Sequence, residues 1–201
     1  MNAKETIIEF LSLQIDALSF ESILYENCDA FEHFLSDSRE LFLKLLEADY
    51  TTPNQVNILI EDLQEFLRNL PNEHQIDPFL LLNQEDRLST AFDMGWKDKG
   101  RSLNNLKYKY YLAAEFQSDY QENNDLTDFF LNHVPEFSEI SAYIEALKKI
   151  RLVKQAKVLE EAFNRLSTKG FFESKQKWEY LAKSTSLSSL LSDLNYKLWS
   201  L

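Results

Sequence analysis

The chain has 201 residues, a hydrophobic fraction of 44% and a formal net charge of −12, which suits one large domain or two small ones. With 3 glycines and 4 prolines, it is too poor in turn formers for a many-stranded sheet protein. The charge is one-sided: residues 1–92 hold 18 acidic and 5 basic residues, whereas residues 93–201 hold 15 and 16. Such an excess of carboxylates attracts cationic partners and repels nucleic acid and anionic membranes.

The first 70 residues predict four amphipathic helices, because their apolar residues recur at helical spacing. These helices are expected at about residues 4–14, 19–35, 37 or 38 to 49, and 53–69. Ser19 is the predicted cap of the second helix, and its apolar stripe continues through Asn27. Pro53 occupies the first turn of the fourth helix, where proline is tolerated. We expect residues 1–70 to form an acidic, helical N-terminal subdomain.

A polar connector at residues 71–77 separates this subdomain from a near-neutral helical body at residues 77–201, with which we expect it to share one core. Asp77-Pro78 is typical of a helix start. Two of the three glycines lie in residues 94–100, which predicts a loop there. Further helices are expected at residues 79–96, 103–120, 126–133, 136–150, 153–166, 172–182 and 187–198. The predicted fold is an all-α, compact multi-helix domain of about ten helices.

No pattern in the sequence predicts a catalytic or metal centre. His33, His74 and His133 lie in separate segments without a second ligand at metal-binding spacing. The glycines are too scattered for a phosphate-binding loop, and the single cysteine, Cys28, cannot form an internal disulfide. Acidic pairs on the helices are by default solvated faces. We therefore expect a protein that is not an enzyme and uses neither cofactor nor metal.

A basic and aromatic cluster opens the second half of the chain. Its members are Trp96, Lys97, Lys99, Arg101, Lys107, Tyr108, Lys109, Tyr110 and Tyr111. Interleaved cations and aromatic rings are typical of surfaces that bind single-stranded nucleic acid. However, the neighbouring acidic half would repel phosphate, and Tyr108 and Tyr111 recur at core-facing helical spacing. We therefore expect no direct binding of nucleic acid.

Residues 110–166 carry a family resemblance. The segment contains Leu126-Thr127-Asp128-Phe129-Phe130-Leu131-Asn132, then Ala146-Leu147 with Ile150, and then Ala156, Leu159 and Ala162. It resembles the DNA-mimic-protein-like family of small helical bacterial domains, in which a Phe-Phe-x-Asn helix start precedes an Ala-Leu-x-x-Ile and Ala-x-x-Leu-x-x-Ala helix pair. The resemblance implies an acidic helical protein that occupies a partner's surface, either imitating the phosphates of DNA or blocking a toxin.

The charge distribution indicates the same class of function. We expect a cytoplasmic bacterial immunity or antitoxin-type protein that blocks a basic toxin or effector; the alternative is a DNA mimic that occupies the groove of a DNA-binding protein. No apolar stretch is long enough to span a membrane, and the oligomeric state stays open. Tyr25, Tyr50 and Phe20 are candidate aromatic anchors. The predicted contact residues are Glu21, Tyr25, Asp29 and Glu32 on one acidic face, and Glu61, Asp62 and Glu65 on another.

Overall fold

The computed structural model describes residues 2–70, 76–123, 126–133, 137–173, 179, 181 and 183–200. These residues form helices and turns and contain no strand, so the predicted all-α class is confirmed. The chain divides into two compact units, Met1–Arg87 (unit 1) and Leu88–Leu201 (unit 2).

Unit 1 is built from helices that, with one exception, match those predicted over residues 1–70. The prediction of one helix over residues 79–96 is wrong, because the structure breaks it at residues 82–83. The helices of unit 1 are α1 (Ala3–Leu11), α2 (Ala17–Glu26), α3 (Cys28–Phe34), α4 (Arg39–Glu47), α5 (Pro53–Arg68) and the start of α6 (Gln84–Gly95). Two 3-10 turns, Ser36–Ser38 and Pro78–Leu81, connect them. Proline opens both α5 and the second 3-10 turn, as predicted, and the Asp77 side chain caps that turn.

The exception is the predicted helix over residues 19–35, which is interrupted and begins earlier. Asp16 is the cap, because its carboxylate accepts a hydrogen bond from the backbone N–H of Ser19 at 2.7 Å. Asn27 separates α2 from α3, and its side-chain amide donates to the carbonyl of Ile23 at 2.9 Å. An asparagine that bonds the local backbone in this way competes with helix continuation. The prediction of one helix capped by Ser19 is therefore wrong.

Aromatic rings form the centre of unit 1. The rings of Phe10 and Phe20 stack with centroids 4.4 Å apart, and Phe31 meets Phe20 edge-on at 5.8 Å. Tyr50 lies beside them and donates its hydroxyl to the carbonyl of Leu45 at 2.8 Å. Phe20 is fully buried and Tyr50 nearly so. The prediction that these two rings anchor a partner is therefore wrong, because both rings are buried in the core and cannot contact a partner.

Three side chains attach residues 79–82 to unit 1 through backbone carbonyls. Gln64, which is buried, donates to the carbonyls of Leu80 and Leu82, and Arg68 donates to that of Leu81. Arg87 is 3% exposed and donates to the carbonyls of Phe79, Leu80 and Leu11. These bonds explain why the unit boundary falls after residue 87, within α6. Residues 71–75 of the predicted connector lie outside the described part of the chain.

Unit 2 contains the predicted helices of the second half. They are the rest of α6, α7 (Asn105–Asn123), α8 (Leu126–Asp128) with a π-helical turn (Phe129–His133), α9 (Phe137–Lys149), α10 (Val153–Thr168) and α11 (Thr185–Trp199). Helix α9 packs on α7 and α10, and α10 packs on α11. Phe129 lies at the centre and meets Phe116 and Tyr143 edge-on at 5.0 and 5.1 Å. Most of the predicted helix over residues 172–182 lies outside the described residues.

The loop between α6 and α7 closes around the ring of Tyr111. A Cβ atom on Gly95 would lie 2.5 Å from one edge of this ring, and one on Gly100 would lie 2.7 Å from the other edge. Gly100 also has a φ of +74°, which favours glycine. The hydroxyl of Tyr111 donates to Glu115 at 2.7 Å and holds the ring from its far end. This contact requires the two glycines that predicted the loop.

The charge asymmetry of the sequence follows the boundary between the units. Residues 88–92 carry no charge, so unit 1 holds the 18 acidic and 5 basic residues counted above, and unit 2 holds 15 and 16. Each unit therefore has its own electrostatic character: unit 1 is strongly anionic, and unit 2 is near neutral.

Candidate functional site

Unit 1 contains an acid-rimmed groove of about 740 Å³. It runs between the end of α3, the first 3-10 turn and α4 on one side and the second half of α5 on the other. This volume lies in the range of pockets that bind ligands or side chains of a partner. We define the groove by its floor and rim: Phe34, Leu41, Phe66 and Leu70 below, and Asp37, Arg39, Glu40, Lys44, Asp62 and Glu65 around the edge.

The floor of the groove is aromatic. Phe34 and Phe66 meet edge-on with centroids 5.5 Å apart, and each ring is only partly buried. Both rings belong to the apolar stripes that predict their helices. They lie at the margins of those stripes, where the core no longer covers them. The exposed ring surface is available to an apolar or cationic group.

Carboxylates outnumber cations at the rim. Its four acids, Asp37, Glu40, Asp62 and Glu65, face two cations, Arg39 and Lys44. The ammonium of Lys44 lies 3.0 Å from Asp62 and 3.9 Å from Glu40. The hydrogen bond to Asp62 and the charge of the nearby carboxylates raise the pKa of Lys44. Solvent screens an exposed ion pair of this kind, so a cationic partner displaces it at little cost.

A smaller depression of about 230 Å³ shares Lys44 and Asp62 with the groove. Ile58 lines it and exposes more than half of its surface. Leu43, on the neighbouring helix α4, is also exposed. The groove is therefore continued by apolar surface, as in protein interfaces, where exposed apolar patches alternate with charge.

The two acidic faces predicted from the sequence are not one site. On α5, Asp62 and Glu65 line the groove, whereas Glu61 is exposed on the same helix without lining it. Asp29 and Glu32 are exposed on α3 and do not line the groove either.

Glu21 and Tyr25, on α2, also lie away from the groove. Glu21 is partly buried. Burial of the Tyr50 phenol raises the pKa of Tyr50, and the negative charge of Glu21 raises it further. Tyr25 is exposed, and its hydroxyl donates to the carbonyl of Leu46 at 2.7 Å. Tyr25 thereby joins α2 to the end of α4 while keeping part of its ring in solvent.

Sequence reasoning missed Asp37 and Glu40, which come from the 3-10 turn and the first turn of α4. Helical spacing predicts Asp37 only as a possible start of the third helix. A detectable signal was the run Asp37-Ser38-Arg39-Glu40, where charge is dense between two apolar helices. Its convergence with α5 depends on tertiary packing, which helical spacing alone does not reveal.

Unit 2 holds a second polar cluster, around Glu115. This carboxylate accepts hydrogen bonds from the hydroxyls of Tyr111 and Tyr143. Burial of the two phenols, with the adjacent charge of Glu115, raises the pKa of both tyrosines. The cluster ties α7 to α9, and both oxygens of Glu115 serve that purpose. We assign it to the scaffold.

Unit 2 also presents the predicted basic and aromatic cluster at its surface. Trp96 is 64% exposed, and Lys97, Lys99 and Arg101 are exposed beside it. Tyr111 is buried, as its spacing predicted, whereas Tyr108 is exposed, so the prediction that Tyr108 faces the core is wrong. The cluster is therefore a cationic loop that carries one prominent indole ring.

No protein-family model, curated protein or solved structure matches this chain. The resemblance of residues 110–166 to the DNA-mimic-protein-like family stays a prediction. Within the described ranges, no group of three or more His, Cys, Asp or Glu side chains converges as a metal site. None of the described helices is both long and apolar enough to cross a membrane.

Proposed function

We propose that this protein is an immunity or antitoxin-type inhibitor that blocks a basic toxin or effector. The observation that carries the proposal is the acid-rimmed groove, in which two partly exposed phenylalanine rings lie among four carboxylates. Protein interfaces concentrate binding energy in such aromatic centres, surrounded by a polar rim. The anionic field of unit 1 would also accelerate the approach of a basic partner.

The groove suits a partner segment that carries both an apolar part and a positive charge. An arginine or lysine would lay its aliphatic stem over Phe34 and Phe66 and place its charge near Glu40 and Glu65. Displacing Lys44 from Asp62 would free a further carboxylate for the partner. The negative charge of unit 1 would therefore attract a basic partner, and the aromatic floor would bury part of the partner's apolar surface.

The alternative function is that of a DNA mimic, which would occupy the groove of a DNA-binding protein. A DNA-binding groove presents its Lys and Arg side chains to a row of phosphates. The concave aromatic floor has no counterpart in such a row. This feature favours a toxin or effector as the partner.

The experiment compares two double charge reversals that change net charge equally. Glu40→Lys/Glu65→Lys alters the groove, whereas Asp29→Lys/Glu32→Lys alters the other exposed acidic face. The wild-type protein is used to capture its partner from a lysate of the source cell. Among the candidate partners, the basic protein encoded beside this chain's gene is tested before the others. Titration calorimetry then measures each affinity, and co-expression measures protection from toxicity.

We expect the groove variant to lose at least about 100-fold in affinity, about 2.7 kcal/mol, because like charges then oppose each other in the interface. The α3 variant should lose less than about tenfold through the weaker field alone. Equal losses would refute the groove as the contact. Displacement of DNA from a basic regulator, without protection from any toxin, would favour DNA mimicry.

A further inference from the structure

The loop at residues 96–101 of unit 2 has the chemistry that the groove of unit 1 would bind. It carries Trp96, 64% exposed, with the exposed cations Lys97, Lys99 and Arg101 close along the chain. The groove offers an aromatic floor and an excess of two carboxylates over cations at its rim. One chain therefore carries both halves of a complementary pair.

Packing contacts within unit 2 position the loop. Gly95 and Gly100 enclose the ring of Tyr111, and the Trp96 ring lies against Phe92 with centroids 5.1 Å apart. Lys99 has a φ of +56°, a left-handed conformation that a lysine rarely adopts. A surface ordered in advance loses little conformational entropy on binding, which favours association.

We propose that the loop at residues 96–101 of one chain docks into the acid-rimmed groove of a second copy, head to tail. The inference rests on the proposed role of the groove as a protein-binding site. Trp96 would lie on Phe34 and Phe66, with Lys97 and Lys99 among the rim carboxylates.

Charge favours this arrangement over a symmetric dimer through unit 1. A symmetric pairing would bring two units with a balance of −13 together, whereas head-to-tail pairing joins the anionic unit of one copy to a cationic loop of the next. Each bound pair retains one free loop and one free groove, so association continues by addition of further chains. A basic partner that occupies the groove would compete with it.

Sedimentation velocity of the full-length chain tests the proposal. At about 0.05 M salt the wild type should grow in mean mass with protein concentration, and about 0.5 M salt should reverse this growth because exposed charges are then screened. The loop variant is Trp96→Ser/Lys99→Glu, and the groove variant is Glu40→Lys/Glu65→Lys. Tyr196→Ser is the control for the loss of an exposed aromatic ring, since Tyr196 of unit 2 is 78% exposed and lies outside the loop.

Complementation between the two variants gives the decisive result. Self-association of each variant alone should be at least tenfold weaker than that of the wild type, with unchanged helical circular dichroism. Mixed together, the loop variant supplies an intact groove and the groove variant an intact loop, so they should form a 1:1 dimer that does not grow. Trp96, present only in the groove variant, should then change its fluorescence.

A wild type that is monomeric at every concentration in low salt would overturn the inference. So would a mixture of the two variants that stays monomeric, or a Tyr196→Ser protein that loses self-association. A monomeric wild type that still binds its basic partner overturns this inference alone. A chain that self-associates as described but binds no basic partner overturns the proposed inhibitor function alone.

Discussion

Replacing Gly100 with alanine should destabilise unit 2 much more than the same change at Gly170. Both glycines are left-handed, with φ of +74° and +72°, so alanine costs about 1–2 kcal/mol at either position. They differ in the space around them. A Cβ atom at Gly100 would lie 2.7 Å from Tyr111 and 2.8 Å from Tyr108, whereas at Gly170 its nearest neighbour is a Glu173 oxygen at 3.5 Å.

The extra loss at Gly100 comes from overpacking. Forcing a methyl group into a filled site typically costs about 1–3 kcal/mol. The ring of Tyr111 cannot withdraw freely, because Gly95 lies at its opposite edge and Glu115 holds its hydroxyl. Gly100→Ala should therefore lower the free energy of unfolding by about 2–5 kcal/mol, and Gly170→Ala by about 1–2 kcal/mol. Both figures fall slightly because alanine also restricts the unfolded chain.

Urea unfolding followed by tryptophan fluorescence measures this difference. The three tryptophans, at positions 96, 178 and 199, all lie in unit 2, so the signal reports that unit. Equal losses for the two alanine variants would refute the steric argument. In a Tyr111→Leu background the excess loss at Gly100 should shrink, because part of the obstructing ring is gone; an unchanged excess would also refute it.

Three further predictions test the scaffold. Arg87→Met should cost about 2–5 kcal/mol in urea unfolding followed by circular dichroism, because the buried guanidinium donates to three backbone carbonyls, which lose this donor in the variant; a loss below about 1 kcal/mol would contradict this. Burial raises the pKa of Tyr50, Tyr111 and Tyr143, so they should ionise only beyond the ordinary tyrosine range, and the stability they confer below about pH 10 should be lost as pH rises. If tyrosinate absorbance shows that every tyrosine ionises near pH 10, the predicted rise in these three pKa values is wrong. Hydrogen bonds from neighbouring threonines lower the pKa of Asp49, so its stabilisation is present above pH 3.8 and lost on acidification. Asp49→Asn should therefore flatten the acid limb of the stability curve, and a limb identical to wild type would exclude this role.

Helical spacing predicted the helices well because most of them are long and amphipathic. Pro53 and Asp77-Pro78 marked starts that the structure confirms, since proline is tolerated only there. The break at Asn27 was missed because its neighbours continue the apolar stripe, and only the bond of its amide to the backbone reveals the interruption. Local side-chain hydrogen bonds of this kind leave no trace in apolar periodicity.

The candidate site was predicted only in part. Exposed acids on α5 were identified, and Asp62 and Glu65 do line the groove. Glu40 and the partly open ring of Phe34 were not, because they reach the groove from α4 and α3, and that convergence is a tertiary property. The charged residues of a sequence predict the sign of the electrostatic potential at the protein surface. Its concavity depends on how neighbouring helices pack.

Arg87 has a consequence for how the chain is made. Its guanidinium caps the last carbonyl of α1, at Leu11, across 76 positions of sequence. At ribosomal rates of about 5–20 residues per second, α1 is translated roughly 4–15 s before the side chain that completes it. During those seconds the acidic unit lacks its closing contact, and its aromatic core is easier to expose. Unit 1 therefore gains this contact between α1 and α6 only after residue 87 has left the ribosome.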